Sequence, residues 1–268
     1  MNYRELCEQT IAIVKEAALF INKEYQNFEN SSVRFKDKND LVSYVDVETE
    51  NFLKAELLKI LPGSGFIAEE SHIAGTKVPK IVWIIDPLDG TTNFVHKLPL
   101  FCVSVALMVE DKIRLGVVHE VKQNECFYAW EGGKAYLNGT EIHVSQTTEL
   151  MNSLIATGFP FKDFHLLDFY IDFLKYLMKN SRGVRRLGSA AADLAYVACG
   201  RFDAFYEYNL SPWDVAGGAF IVQQAGGLVS DFEGKDNYLF GKEIIAATPL
   251  VFEELVGKLK EWKGEYIQ

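Results

Sequence analysis

The sequence has no run of 18 apolar residues, so nothing in it reads as a membrane-spanning helix. Its first ten residues, MNYRELCEQT, lack the basic stretch followed by an apolar one that marks a secretory signal. Cysteine is scarce. Cys7, Cys102, Cys126 and Cys199 lie far apart with no Cys-x-x-Cys pair, which argues against a zinc site. Three of the four sit in apolar runs and read as small core residues of a reducing compartment. Together these absences point to a cytoplasmic protein. Repeats, low-complexity tracts and long linkers are missing too. Positive charge is in deficit: 37 Asp and Glu stand against 27 Lys and Arg, a formal charge of -10. That balance excludes general polyanion binding, so neither a membrane surface nor direct nucleic-acid binding is expected. His72, His96, His119, His143 and His165 show no partner pattern for a Ser-His-Asp site and read mostly as structural or exposed.

What is present is ordinary for a globular protein: 268 residues, 49% apolar and 24% charged. The length suits one large core or two modest ones. From Tyr3 to about Phe28 the apolar residues Leu6, Ile11, Val14, Ala18, Ile21 and Tyr25 recur at helical spacing. A second helix is predicted over about 47–60, stopped by Pro62-Gly63. Then the period shortens. Strands are predicted at 65–68, 81–85, 101–110, 112–119 and 125–130, with Glu110-Asp111 as a turn, in an antiparallel meander. The second half opens near residue 150. It reads as a strand at 153–157, a helix at 168–178, a helix capped by Ser189 and ending at Cys199, a strand at 203–208, a helix at 214–224, and a last helix from Thr248-Pro249 to about Lys263. Elements are therefore layered in an α+β arrangement, with subdomains 1–149 and 150–268.

Acidic residues fall at the ends of these elements. The run Ile81-Val-Trp-Ile-Ile-Asp86-Pro-Leu-Asp89-Gly-Thr-Thr-Asn93 ends an apolar strand at Asp86, and Pro87 turns the chain. Asp86 and Asp89 can then project from one turn, with the Leu88 carbonyl as a third oxygen, a donor set suited to Mg2+ or Ca2+. Gly90-Thr91-Thr92 offers N–H groups and a hydroxyl to a phosphate if a helix starts there. The same run also describes a plain surface turn, since Asp-Pro and Asp-Gly are common turn dipeptides. Glu69-Glu70 ends the strand at Ala68 and is either beside Asp86 or in a solvated loop. Asp46 and Asp214 stand at helix starts, where an N-cap is the common use of such a residue.

Phe66-Ile-Ala-Glu69-Glu-Ser71, Asp86 to Asn93 and Trp213-Asp214-Val-Ala-Gly217 resemble the three signatures of the inositol monophosphatase family. Phe94-Val95-His96, Pro99 and Arg186-Leu187-Gly188-Ser189-Ala190-Ala191 extend the likeness over essentially the whole chain. The resemblance implies a layered α-β-α-β-α sandwich of the inositol monophosphatase/fructose-1,6-bisphosphatase type, a homodimer, lithium sensitivity, and two or three Mg2+ per site. Glu69, Asp86 and the Leu88 carbonyl would hold one ion, Asp86, Asp89 and Asp214 a second, and a weaker third would sit near Glu69. Such cations reconcile an acidic pocket with an anionic ester. The implied chemistry is two-metal activation of water with stabilisation of the departing alkoxide. Glu69 and Thr91 would orient the water, with Asp46 accepting from the Thr91 hydroxyl. Gly90 and Thr91 would face the phosphate, alongside Asp89 and Asp214. Gly188, Ser189, Ala190 and Glu207 would face the alcohol. Ser189 stands where the family often has threonine, and the hydroxyl is kept. Glu207 also reads as a strand-end surface acid, and Arg185-Arg186 as a solvated basic pair.

The leading expectation is a Mg2+-dependent phosphatase for inositol monophosphate. The first rival is a sibling enzyme acting on fructose 1,6-bisphosphate, 3′-phosphoadenosine phosphates, histidinol phosphate or NADP. Nucleotide and histidinol-phosphate siblings tend to carry lysine after the central Asp-Gly-Thr, where this chain has Thr92-Asn93-Phe94. The second rival is an accessory protein of transcription complexes, a role some bacterial relatives have.

Overall fold

In the computed structural model, residues 1–28, 34–37, 40–71, 79–160 and 163–266 are described; His72 lies outside them. Helix α1 (Tyr3–Asn27) starts where the Asn2 side chain accepts from the Glu5 N–H, and buries Leu6, Cys7, Ile13, Val14, Ala17 and Ile21 along one stripe. Strands β1 (Arg34–Asp37) and β2 (Asp40–Val42) form an antiparallel pair. Helix α2 (Tyr44–Ile60) begins three residues before the expected Val47. Ser43 and Asp46 form a capping box there, so Asp46 is the third residue of the helix rather than a residue before it.

Strands β3 (Gly65–Ala68) and β4 (Ile81–Asp89) are parallel, not part of a meander. The antiparallel meander is β4, β5 (Cys102–Val109), β6 (Lys112–Glu120), β7 (Glu125–Trp130), β8 (Ala135–Leu137) and β9 (Thr140–Glu141). Short helix α3 (Thr91–Val95) sits between β4 and β5. Glu110 and Asp111 both take positive φ, as a tight hairpin between twisted strands requires.

The second half contributes β10 (Leu154–Thr157), α4 (Leu167–Asn180), β11 (Gly183–Arg185), α5 (Ala190–Ala198), β12 (Ala204–Tyr208), α6 (Pro212–Gln224), β13 (Leu228–Ser230), β14 (Glu243–Ala247) and α7 (Pro249–Tyr266). Its sheet runs β11-β10-β12-β14-β13, parallel through β12 and antiparallel beyond. Alternation along the strands builds the layers. In the first sheet Trp83, Ile85, Val103, Val105 and Val117 pack on α1 and α2, while Val82, Ile84, Ala106 and Val118 pack on α5 and α6. The far side of α5 and α6 meets Ala156, Phe205, Ile244 and Ala246 of the second sheet. The outer face of that sheet, with Ile155, Tyr206 and Ile245, is covered by Phe169, Phe173, Val251 and Leu255 of α4 and α7. The order is α-β-α-β-α. A middle helix layer must be apolar all round, and every residue of α5 is buried. Gly116 of β6 and Gly217 of α6 let these elements touch backbone to backbone: a Cβ on Gly116 would stand 2.6 Å from the Gly217 carbonyl oxygen.

His119 of β6 is buried, its Nδ1 has no hydrogen-bond partner among the described residues, and burial, helped by the charge of Lys15, pulls its pKa down to about 4. The unfolded imidazole takes a proton near pH 6.5, and the folded one resists until about 4. Stability is therefore complete above pH 6.5 and falls as pH drops toward 4. Between pH 7.5 and 5 the loss from this group is about 2 kcal/mol. His119→Phe removes that share. Urea unfolding at the two pH values checks it: equal losses in wild type and variant would clear His119 of the effect.

Candidate active site

The ends of β3 and β4, the starts of α5 and α6, and strand β12 converge on one cleft of about 200 Å3. The Glu69 N–H donates to the Ile85 carbonyl at 3.2 Å, which continues the β3–β4 pairing and brings the Glu69 side chain to the cleft beside Asp86. Glu70 does not line it, and its N–H donates to Glu50 Oε2 at 2.7 Å. The β4 ladder does not end at Asp86. It skips across Pro87, which has no N–H to give, and resumes with Asp89 opposite Cys102. That irregularity places Asp86, Leu88 and Asp89 all on the cleft.

Hydrogen bonds orient several of these acids. Asp86 Oδ1 accepts from the Leu88 N–H at 3.0 Å. Asp89 Oδ2 accepts from the Ser189 hydroxyl at 2.6 Å and the Ala191 N–H at 2.7 Å, tying β4 to the start of α5. Asp214, third residue of α6 rather than its N-cap, accepts at Oδ2 from the Ser211 N–H at 2.6 Å. Behind the cleft lies Asp46, fully buried. Its Oδ2 takes the Ser43 N–H and hydroxyl, and its Oδ1 accepts from the Thr91 hydroxyl at 2.9 Å. The Leu88 carbonyl lies 3.0 Å from the same hydroxyl. Gly90, at φ 97°, starts α3 in the left-handed region.

The electrostatics are unbalanced. Glu69, Asp86, Asp89, Asp193, Glu207 and Asp214 line the cleft, and among the described residues Arg186, largely exposed at its rim, is the one cation there. Burial, then repulsion from Glu69, Asp89 and Asp214, lifts the Asp86 carboxyl well above its usual range. Burial lifts Asp89 to about 6, opposed by its hydrogen bonds to Ser189 and Ala191 and by Arg186. Burial followed by Asp214 raises Glu207, which is 7% exposed and so not a surface acid. Hard oxygen donors crowded against their own repulsion fit Mg2+-like cations. Among the described residues no three His, Cys, Asp or Glu side chains are already closed around one point. The acids line the cleft instead, leaving part of any cation's shell to carbonyl, water and ester oxygens.

Every residue expected at the site from the sequence lines this cleft except Asp46, which reaches it through Thr91. Gly188, Ser189 and Ala190 form one wall, with Ser189 capping α5 through the Ala192 N–H. Arg185 is exposed and outside the cleft. His96, His143 and His165 are exposed. Sequence reasoning missed Gly158, Asp193 and the task of Asn93. Asn93 Nδ2 donates to the Leu100 and Leu187 carbonyls at 2.8 and 2.9 Å, pinning the segment before Gly188 to α3. A lone acid in the apolar stretch Ala-Ala-Ala-Asp193-Leu-Ala was the available signal for Asp193.

The structure is a layered α-β-α-β-α sandwich with an acid-lined cleft between its two sheets, and comparison with known proteins gives its class. The model of the inositol monophosphatase family matches residues 2–263. Nus factor SuhB of Escherichia coli K12 is 38% identical over 252 residues, 94% of each chain. The structure of the extragenic suppressor protein suhB of Bartonella henselae is 38% identical, with a TM-score of 0.88 over 94% of this chain and 97% of that one. A Thermotoga maritima IMPase is 36% identical, with a TM-score of 0.86 over 95% and 96%. The chain belongs to the inositol monophosphatase family, whose members are phosphatases and typically metal-dependent. Among the described residues no helix is long and apolar enough to cross a membrane.

Proposed function

We propose that this protein hydrolyses the phosphate monoester of a small polyol, with inositol monophosphate as the leading substrate. One observation carries the reading: the buried Asp86 carboxyl at the end of β4 is repelled by Glu69, Asp89 and Asp214 around it, and among the described residues the cleft offers one cation, Arg186, at its rim. Glu69, Asp86, the Leu88 carbonyl, Asp89 and Asp214 are the groups that would hold Mg2+, two or three ions per site. When bound, these ions supply Lewis-acid activation of water and charge neutralisation of the ester. The Gly90 and Thr91 N–H groups receive a phosphate oxygen. The Thr91 hydroxyl donates a hydrogen bond to Asp46, which turns an oxygen lone pair toward the attacking water, and Glu69 fixes that water from the other side. Ser189 holds Asp89 in place, and the Gly188–Ala190 wall and Glu207 contact the alcohol.

Inositol is favoured over the sibling substrates because Asp89-Gly90-Thr91 is followed by Thr92-Asn93-Phe94, where nucleotide and histidinol-phosphate siblings tend to carry lysine. The test is the ratio of kcat/KM for inositol 1-phosphate to that for p-nitrophenyl phosphate. Glu207→Gln removes a charged acceptor for a ring hydroxyl, worth about 1–3 kcal/mol. The ratio then falls, whereas Asp214→Asn loses turnover of both esters. A ratio untouched by Glu207→Gln removes Glu207 from substrate selection.

A second reading rests on the name of the relatives, Nus factor SuhB. As an accessory of a transcription complex this chain would use a protein partner, since its charge of -10 opposes nucleic acid. Capture of RNA polymerase by both wild type and Asp89→Asn would establish a role separate from catalysis; capture by neither would dismiss it.

A further inference from the structure

Asp193 of α5 has no task in the chemistry above. It is 1% exposed, lines the cleft, and its Oδ1 has no hydrogen-bond partner among the described residues. The other residues of α5 are all buried and, Tyr196 apart, wholly apolar. A buried carboxyl oxygen without a partner carries the desolvation penalty of the group with nothing returned. A packing role at this position would be filled at no such cost by leucine or alanine. The oxygen is therefore best explained by something that enters the cleft.

Its surroundings define that ligand. Glu207, 7% exposed on β12, lies over Gly158, where a Cβ would stand 2.0–2.1 Å from the carboxylate atoms. Only a residue with no side chain leaves Glu207 that place. Asp193 and Glu207 line the same cleft, and after burial Glu207 is the largest influence raising the Asp193 carboxyl. Arg186 opposes both from the rim, with Nη1 2.5 Å from where a Gly188 Cβ would be. Two acids repel a second phosphate, and the guanidinium disfavours an amine. A neutral hydroxyl matches all three groups, because it donates to a carboxyl oxygen and accepts from a guanidinium N–H.

We propose that Asp193 is a specificity-determining residue that, with Glu207, binds two neighbouring hydroxyls of the leaving alcohol, so that the cleft selects phosphate esters of vicinal diols. This rests on the phosphatase reading of the same cleft. Gly158 is a positioning residue in this scheme, since it admits the Glu207 carboxylate.

The test compares kcat/KM for inositol 1-phosphate and sn-glycerol 3-phosphate with that for p-nitrophenyl phosphate, which has no hydroxyl, in wild type, Asp193→Ala and Asp193→Asn. Alanine suits a helix and opens the cleft rather than blocking it. Asp193→Ala lowers both diol ratios by about tenfold, the value of one lost hydrogen bond to a charged group, with the loss carried in KM. Asp193→Asn, which keeps shape and one acceptor oxygen, falls between. The melting temperature of Asp193→Ala is not lowered, because a buried carboxyl oxygen with no partner among the described residues has gone. Should the alanine variant fold poorly, the asparagine ratio decides alone. Diol ratios equal to wild type overturn the proposal, whatever the absolute rates. A wild type inactive on all three esters would instead take down the phosphatase reading.

Discussion

Asp89→Asn lowers kcat by about 10²-fold or more, because the charge it removes is one that cations in the cleft need for their electrostatic work on the ester. The substitution isolates charge from shape. Asp89 Oδ2 accepts from the Ser189 hydroxyl and the Ala191 N–H, and an asparagine carbonyl can accept both. The join between β4 and α5 therefore survives. Stability in metal-free buffer holds or rises, since Asp89 is among the charges that repel Asp86. The pairing of a large kinetic loss with an unharmed fold is the signature to look for. Near-normal kcat in a folded variant would reduce Asp89 to a residue of the turn.

Thr91→Val costs kcat about 10²-fold with a smaller change in KM, and Thr91→Ser recovers most of it. Valine keeps the β-branched shape and removes only the hydroxyl. That hydroxyl stands 2.9 Å from Asp46 Oδ1 and 3.0 Å from the Leu88 carbonyl. Asp46 is held in turn by Ser43 at the start of α2, so its direction is fixed before substrate arrives. Losing one preorganised partner of a reacting group typically costs 10²–10³-fold. Equal damage from valine and serine would assign Thr91 to packing rather than to water orientation. Asp46→Asn provides an independent check, since it disturbs the same hydroxyl from the far side.

Several of these contacts were legible before the fold was known, and others were beyond reach for physical reasons. Helical periodicity located α1 well because one stripe faces one layer. The start of α2 was placed three residues late, although Ser43-x-x-Asp46 is a capping pattern that could have been read. The hairpin β8–β9 was missed despite Asn138-Gly139, both at positive φ and a strong hairpin signal. Strands β11 and β13 have three residues each, too few for a period-two pattern to stand out. The parallel pairing of β3 with β4 depends on where the chain passes between them, which hydrophobic alternation does not encode.

The candidate site divides in the same way. Acids at element ends were visible one by one, and the family resemblance supplied their grouping. The contact of Thr91 with Asp46 spans 45 residues, and that of Ser189 with Asp89 spans 100, so local spacing alone could suggest neither. Asp193 escaped because a single acid in a helix reads as its solvated face, whereas α5 lies in the middle layer and has no solvated face. Gly158 escaped because its meaning comes from Glu207, 49 residues away in the sequence and directly over it in space.

The crowding of buried carboxyl groups is the centre of the account, and phosphate release from inositol 1-phosphate by the wild-type protein tests it most directly. Stripped with chelator and returned to metal-free buffer, the protein should release no phosphate above background. Added Mg2+ should restore release, and Ca2+ should bind while supporting little turnover, since it tolerates looser coordination than octahedral Mg2+. Full activity in metal-free buffer would contradict the account.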